Sequence, residues 1–203
     1  MNVGVTGGFS SGKSTFAFLL SKKLKYHFFS CDDFIKGLYK KKTLRKIMID
    51  KFGHQLYKRG ILQKRLLSEL VFNSEESLRK LESIIHPIVE SEIKKRVTSV
   101  PANTVFEIPL LYEKNYQTLM DLCVLVVCNR EKQLERALNR GFSKKEFNRR
   151  IRFQLSDRDK IKREPVVVMN NDSIHDLKQE VLRVTNLILP IKKSSRVQRT
   201  KGK

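Results

Sequence analysis

Short apolar runs alternate with helical stripes along this chain. Residues 3–6, 27–30, 104–108, 122–128 and 166–169 are strand-length segments rich in Val, Ile, Leu and Phe. After the first of them, Phe16, Leu19, Leu20 and Leu24 recur at helical spacing. Continuous apolar strands separated by helices predict an α/β fold, with five parallel strands covered by helices on both faces. Residues 34–97 break this alternation. They show little strand character and several helical stripes, and so long an insertion inside a βαβ unit predicts a helical subdomain beside the sheet. Helix ends are marked by residue type. Ser74 precedes Glu75 and Glu76, Ser143 with Glu146 forms a capping-box pattern, and Gly141 suits the end of the helix before it. Ser173 opens the last helix, predicted to run over 173–189 and stop at Pro190. Residues 191–203 are polar, basic and aperiodic, which predicts a disordered tail.

The junction between the first strand and the first helix reads Gly7-Gly8-Phe9-Ser10-Ser11-Gly12-Lys13-Ser14. This is the spacing of a phosphate-binding P-loop, in the strand-to-helix context that such a loop requires. The backbone N–H groups of Gly7, Gly8, Ser10, Ser11 and Gly12 can form a nest for phosphate oxygens, and the helix starting near Thr15 adds the positive end of its dipole. Lys13 would reach the β and γ phosphates of ATP, and the Ser14 hydroxyl would take one position on Mg²⁺. A chance glycine turn is the alternative, and the strand and helix on either side weigh against it. The motif alone leaves open whether the γ-phosphate goes to water, to an acceptor or into movement.

Composition narrows the class. Hydrophobic residues make up 40% of the chain, enough for a core, yet no apolar run reaches the roughly 20 residues that span a bilayer. The first residues form a strand pattern rather than a basic and then apolar leader, so a cytoplasmic protein without membrane contact is expected. Cys31, Cys123 and Cys128 lack metal spacing and are expected to be reduced, mostly buried small residues. The net charge of +21 has two readings. One is a polyanionic partner; the other is a solvated basic surface on an enzyme with an anionic substrate. Spread over Lys22-Lys23, Lys40-Lys41-Lys42, Lys94-Lys95-Arg96 and Arg149-Arg150, the charge favours the second, and no nucleic-acid partner is expected.

Further candidates lie at strand ends and on one helix. Asp32 follows the second strand, where a carboxylate can take a proton from an attacking hydroxyl or hold Mg²⁺ through water. Its neighbour Asp33 reads as a helix N-cap. Gln133, Arg136 and Arg140 share a helix face, and arginines there can neutralise charge on a transferring phosphoryl group or form a solvated basic stripe. On their surroundings alone all four histidines, His86 in its mostly apolar stretch included, read as structural.

Several of these segments occur together in one family. Thr6-Gly7-Gly8…Ser11-Gly12-Lys13-Ser14-Thr15, Asp32, Gly60…Arg65, Leu81-Glu82…His86-Pro87, Pro109-Leu110-Leu111-Tyr112-Glu113, Gln133…Arg136…Arg140, Arg150…Gln154 and Asn170 appear in the order seen in dephospho-CoA kinases. The chain resembles that family from Val3 to about Leu189. The resemblance implies a P-loop NTPase-type three-layer fold. A nucleotide-binding core would occupy residues 1–33 and 100–190, a helical substrate subdomain residues 34–99, and a short lid about residues 136–154. It also implies transfer of the γ-phosphate of ATP to the 3′-hydroxyl of dephospho-CoA, with Asn170 on the nucleotide and Arg65, His86, Pro109, Leu110 and Glu113 on the acceptor.

The chain departs from the family pattern in four places. Ser10 stands where glycine is usual, which is costly if the position needs a positive φ. Ser30 and Glu107 each stand where aspartate is usual, and Asp172 where glycine is. Two rival readings remain at this point: another small-molecule or nucleoside kinase on the same fold, or a basic NTP-dependent switch acting on nucleic acid.

Overall fold

The computed structural model describes residues 1–99 and 103–200. Its elements in chain order are β1 (Asn2–Gly7), α1 (Lys13–Leu24), β2 (His27–Ser30), α2 (Cys31–Leu38), α3 (Lys42–Phe52), β3 (Tyr57–Lys58), β4 (Ile61–Leu62), α4 (Lys64–Asn73), α5 (Glu75–Ser99), β5 (Thr104–Glu107), β6 (Leu122–Val127), α6 (Arg130–Asn139), α7 (Lys144–Arg152), α8 (Asp157–Ile161), β7 (Val166–Met169) and α9 (Ile174–Thr200). The chain forms two compact units, one of residues 1–30 with 101–203 and one of residues 31–100.

The first unit is built on a five-stranded parallel sheet in the order β2-β5-β1-β6-β7. Side chains alternate across it, as the pleat requires. Val3, Val5, Val105, Val124, Val126 and Val168 face α1 and α9, where Phe16, Leu20, Val181, Val184 and Ile188 close a dry core. Phe106 and Leu125 are fully buried outside that cluster, and the ring of Phe106 lies 5.7 Å from that of Phe29. All five strands fall within two residues of the expected runs. The order puts β1 in the middle, so the loop leaving its C-terminal end opens at the centre of the sheet edge.

In the second unit, α4 packs on α5 and α3 on the 3₁₀ turn His54–Leu56. Ile85, Val89 and Ile93 lie four residues apart on α5 and are buried, as are Leu67 and Val71 of α4. The short antiparallel pair β3–β4 had no sequence signal; Arg59 (φ 50°) and Gly60 (φ 78°) turn the chain between its strands.

Caps fall where residue type places them. Ser143 and Glu146 form a complete capping box, and Gly141 has φ 84°. Two expectations need correction. Asp33 is not an N-cap: α2 already begins at Cys31, and Asp33 sits in the first turn paired with Lys36 at 2.7 Å. Nor does α9 stop at Pro190; it continues to Thr200. Proline inside a helix loses one hydrogen bond and crowds the carbonyl four residues back, and α9 carries Pro190 on an exposed face in spite of that cost. The rest of the expected tail, residues 201–203, lies outside the described residues.

Candidate active site

The loop from Gly7 to Gly12 is held by backbone geometry and by three side-chain amides. Gly12 has φ 91°, and a Cβ there would collide with the Asn170 amide. A Cβ at Gly7 would run into the Val126 carbonyl of the neighbouring strand. Both positions therefore require glycine. Asn170 Nδ2 donates to the Ser11 carbonyl at 2.7 Å. The Phe9 N–H donates to Gln154 Oε1 at 2.8 Å. Gln133 is buried against Gly8 and donates to the Cys128 carbonyl at 2.7 Å. Ser11 N–H closes a turn onto the Gly8 carbonyl at 3.1 Å.

Ser10 adopts φ 61°, left-handed backbone that a residue with a Cβ enters at a cost of roughly 1 kcal/mol. Its departure from the family's glycine therefore carries strain. Ser10→Gly removes that strain but adds freedom to the unfolded chain, which offsets part of the gain. The expected result is a protein as stable as wild type or stabilised by up to about 1 kcal/mol in urea unfolding. A clear loss of stability would contradict the strain assignment.

Two hydroxyls, Ser10 Oγ and Ser11 Oγ, are buried in the loop without a hydrogen-bond partner. Buried polar groups are normally satisfied, so orphaned donors in a glycine loop at a helix N-terminus fit a site for oxyanions. The first-turn amides of α1 lack intrahelical partners for the same reason. Lys13 is 7% exposed and starts α1, so its ammonium adds a largely desolvated positive charge to the donors. The cradle fits a polyphosphate.

Beneath the loop lies a carboxylate that sequence reasoning did not place in the site. Glu107 ends β5 and is fully buried. Its Oε1 accepts from Ser14 Oγ at 3.0 Å and lies 3.8 Å from Lys13 Nζ. Its Oε2 accepts from Ser30 Oγ at 2.9 Å, and Ser30 and Glu107 are direct neighbours across the β2–β5 pair. A signal was available. The strand-end rule that singled out Asp32 applies equally to a glutamate closing a Val-Phe-Glu strand. Ser14 and Glu107 offer hard oxygen donors, the type Mg²⁺ takes.

The arginines of α6 are engaged within the first unit. Arg136 Nη1 donates to the Asn170 carbonyl at 3.0 Å and to Cys128 Sγ at 3.3 Å. Burial pushes the Cys128 thiol up, and the nearby guanidinium opposes that shift. Arg140 caps the end of α6 and is exposed; its guanidinium lies 5.8 Å from the Phe9 ring centre and 5.4 Å from that of Phe142. Arg150 stacks on the same two rings at 5.0 Å each. Thr15 is exposed on the first turn of α1.

The residues expected to meet the acceptor divide between the units. In the first, Pro109 and Leu110 are half-buried in the turn after β5, and the Pro109 carbonyl accepts from Thr6 Oγ1 at 3.2 Å. Glu113 points inward. It accepts the Leu155 N–H at 2.8 Å and pairs with the fully buried Lys160 at 3.1 Å. In the second unit, Asp32 is exposed on the first turn of α2 and His86 is half-buried within α5. Arg65 is exposed beside Glu69 at 3.0 Å and lines a groove of about 530 Å³ with Tyr57, Lys58, Gln63 and Leu66. No helix among the described residues is long and apolar enough to cross a membrane.

Comparison with known proteins gives concordant matches. The family model described as dephospho-CoA kinase matches residues 1–176. A dephospho-CoA kinase of Fusobacterium nucleatum is 34% identical over 193 residues, covering 93% of this chain and 98% of that protein. The crystal structure of TT1252 from Thermus thermophilus superposes with a TM-score of 0.76 at 30% identity, over 93% of this chain and 97% of that one. The dephospho-CoA kinase from Campylobacter jejuni superposes at 0.66 and 26% identity, over 92% and 96%.

Proposed function

This chain belongs to the dephospho-CoA kinase family, and we propose that it transfers the γ-phosphate of ATP to the 3′-hydroxyl of dephospho-CoA, giving CoA and ADP. The observation that carries the reading is the loop itself: orphaned buried hydroxyls, a helix N-terminus and a desolvated lysine, all set on a buried glutamate. Catalysis of phosphoryl transfer is mainly positioning and charge neutralisation. Lys13 and the loop amides hold the phosphates. Ser14 and Glu107 would hold Mg²⁺, which supplies further neutralisation of phosphate charge. Glu107 keeps Ser14 oriented, and Ser30 fixes the second carboxylate oxygen. Arg136 and Arg140 cover the transferring group once ATP is bound, and Asn170 contacts the nucleotide. Arg140 must then leave the faces of Phe9 and Phe142. Arg65, His86, Pro109 and Leu110 contact the acceptor.

Asp32 takes the role of base or orienter for the acceptor hydroxyl. It follows the C-terminal end of a parallel strand, and it is exposed, so an acceptor can reach it. Asp32→Asn keeps the shape and removes the proton acceptor. The expected result is a fall in kcat of roughly two powers of ten with little change in ATP binding. A variant within a few-fold of wild type would remove the assignment. The site of phosphorylation is checked by ³¹P NMR of the product, where a phosphate at any position but the 3′ carbon would contradict the reading. We place this reaction in the cytoplasm, as expected from the sequence.

A further inference from the structure

The chain leaving α7 is bolted to both halves of the first unit's reaction surface by one uncharged side chain, Gln154. Its Oε1 accepts the N–H of Phe9 at the crest of the phosphate loop, at 2.8 Å. Its Nε2 donates to the Pro109 carbonyl at 3.3 Å and reaches the Gly7 carbonyl at 3.5 Å. Thr6 Oγ1 donates to the same Pro109 carbonyl. The next residue is pinned too, its N–H held by Glu113, which is paired with the fully buried Lys160. The root of Gln154 is therefore fixed, and its amide presents one acceptor and one donor to two backbone segments that are far apart in sequence.

The orientation of that amide has a chemical consequence. The Phe9 N–H is spent on Gln154, so it is turned away from the phosphate nest. The Phe9 amide is thereby withheld from a bound anion, and the conformation of the crest is fixed. On its other side the amide holds the carbonyl of Pro109, where the turn expected to meet the acceptor begins. The Phe9 ring meets Phe142 edge-on at 5.1 Å and Phe147 at 6.3 Å, so the crest that Gln154 sets is also the seat of the segment carrying Arg140 and Arg150.

We infer that Gln154 is a positioning residue that couples the phosphate loop to the acceptor turn: its oxygen holds the loop alone, and its nitrogen makes its shorter bond to the acceptor turn and a longer one to the loop. The acceptor half of this inference rests on the function proposed above; the loop half does not. It predicts that the two substrate affinities separate according to which atom of the amide is changed.

The test titrates ADP with Mg²⁺, and separately CoA, into wild type, Q154L and Q154E by calorimetry, with melting temperatures recorded for each. Q154L removes all three hydrogen bonds at nearly constant volume, and roughly tenfold losses of affinity for both ligands are expected in a folded protein. Q154E keeps the acceptor for Phe9 N–H but sets a carboxylate against the Pro109 carbonyl and, at longer range, the Gly7 carbonyl. ADP affinity should stay within about threefold of wild type while CoA affinity falls roughly tenfold. A purely structural glutamine would lower melting temperature and leave both affinities in place, so Q154L within twofold of wild type overturns the inference. Should Q154L fail to fold, Q154E decides alone: a loss of CoA affinity exceeding that of ADP supports it, and CoA affinity within twofold of wild type, or losses equal for the two ligands, overturns it. Wild type that binds ADP but not CoA would refute the proposed function, and the ADP arm would still decide the loop half.

Discussion

Lys13→Ala is expected to lower phosphoryl transfer by about three powers of ten, roughly 4 kcal/mol of transition-state stabilisation. Lys13 is the loop's own cation, and its side chain is almost entirely withdrawn from water. A desolvated charge acts on developing phosphate charge far more strongly than one in solvent. Alanine also removes the ammonium 3.8 Å from the buried Glu107, leaving that carboxylate with the Ser14 and Ser30 hydroxyls. Some loss of stability will accompany the loss of rate, so kcat/KM is to be measured alongside urea unfolding, at a temperature where the variant is folded. A folded variant with activity near wild type would remove Lys13 from the chemistry.

The second large effect is on stability and comes from Lys160. It is fully buried and pairs with Glu113, which is itself nearly buried and holds the Leu155 N–H. Removing one member of a buried pair strands the other's charge, at a cost of about 3–5 kcal/mol. Lys160→Met should cost that much in urea unfolding. Adding Glu113→Leu should recover much of the loss, because no buried charge is then left over. A single variant less than about 1 kcal/mol from wild type would mean the pair is solvated and carries no such weight. The pair also explains why Glu113 belongs to the Pro109–Glu113 segment without facing outward: it anchors the turn and the start of the α7–α8 connection.

The sheet was legible because strands covered on both faces favour short apolar runs, as at 122–128, and because such runs alternate with helical stripes along the chain. The phosphate loop was legible because two of its glycines answer to backbone and packing constraints that other residues cannot meet. What escaped the sequence depends on cross-chain register. Glu107 matters because it sits opposite Ser30 and under Ser14, and no local pattern encodes that pairing. Gln154 and Asn170 were marked only by the family resemblance, and what they hold emerges when the fold brings them to the loop from 147 and 159 positions away. Spacing puts Arg136 and Arg140 on one helix face, whereas Arg140 stands just past α6 as its C-cap. Spacing could not show that one is held by a backbone carbonyl and the other by aromatic rings. The running-on of α9 past Pro190 shows that the local cost of one proline does not by itself end a helix.

The most direct test of the central claim is ADP formation from ATP and Mg²⁺ with and without dephospho-CoA, with adenosine and AMP as control acceptors. The account predicts ADP only when dephospho-CoA is present, matched mole for mole by CoA. ADP released at the same rate without any acceptor, or with adenosine or AMP in place of dephospho-CoA, would contradict it.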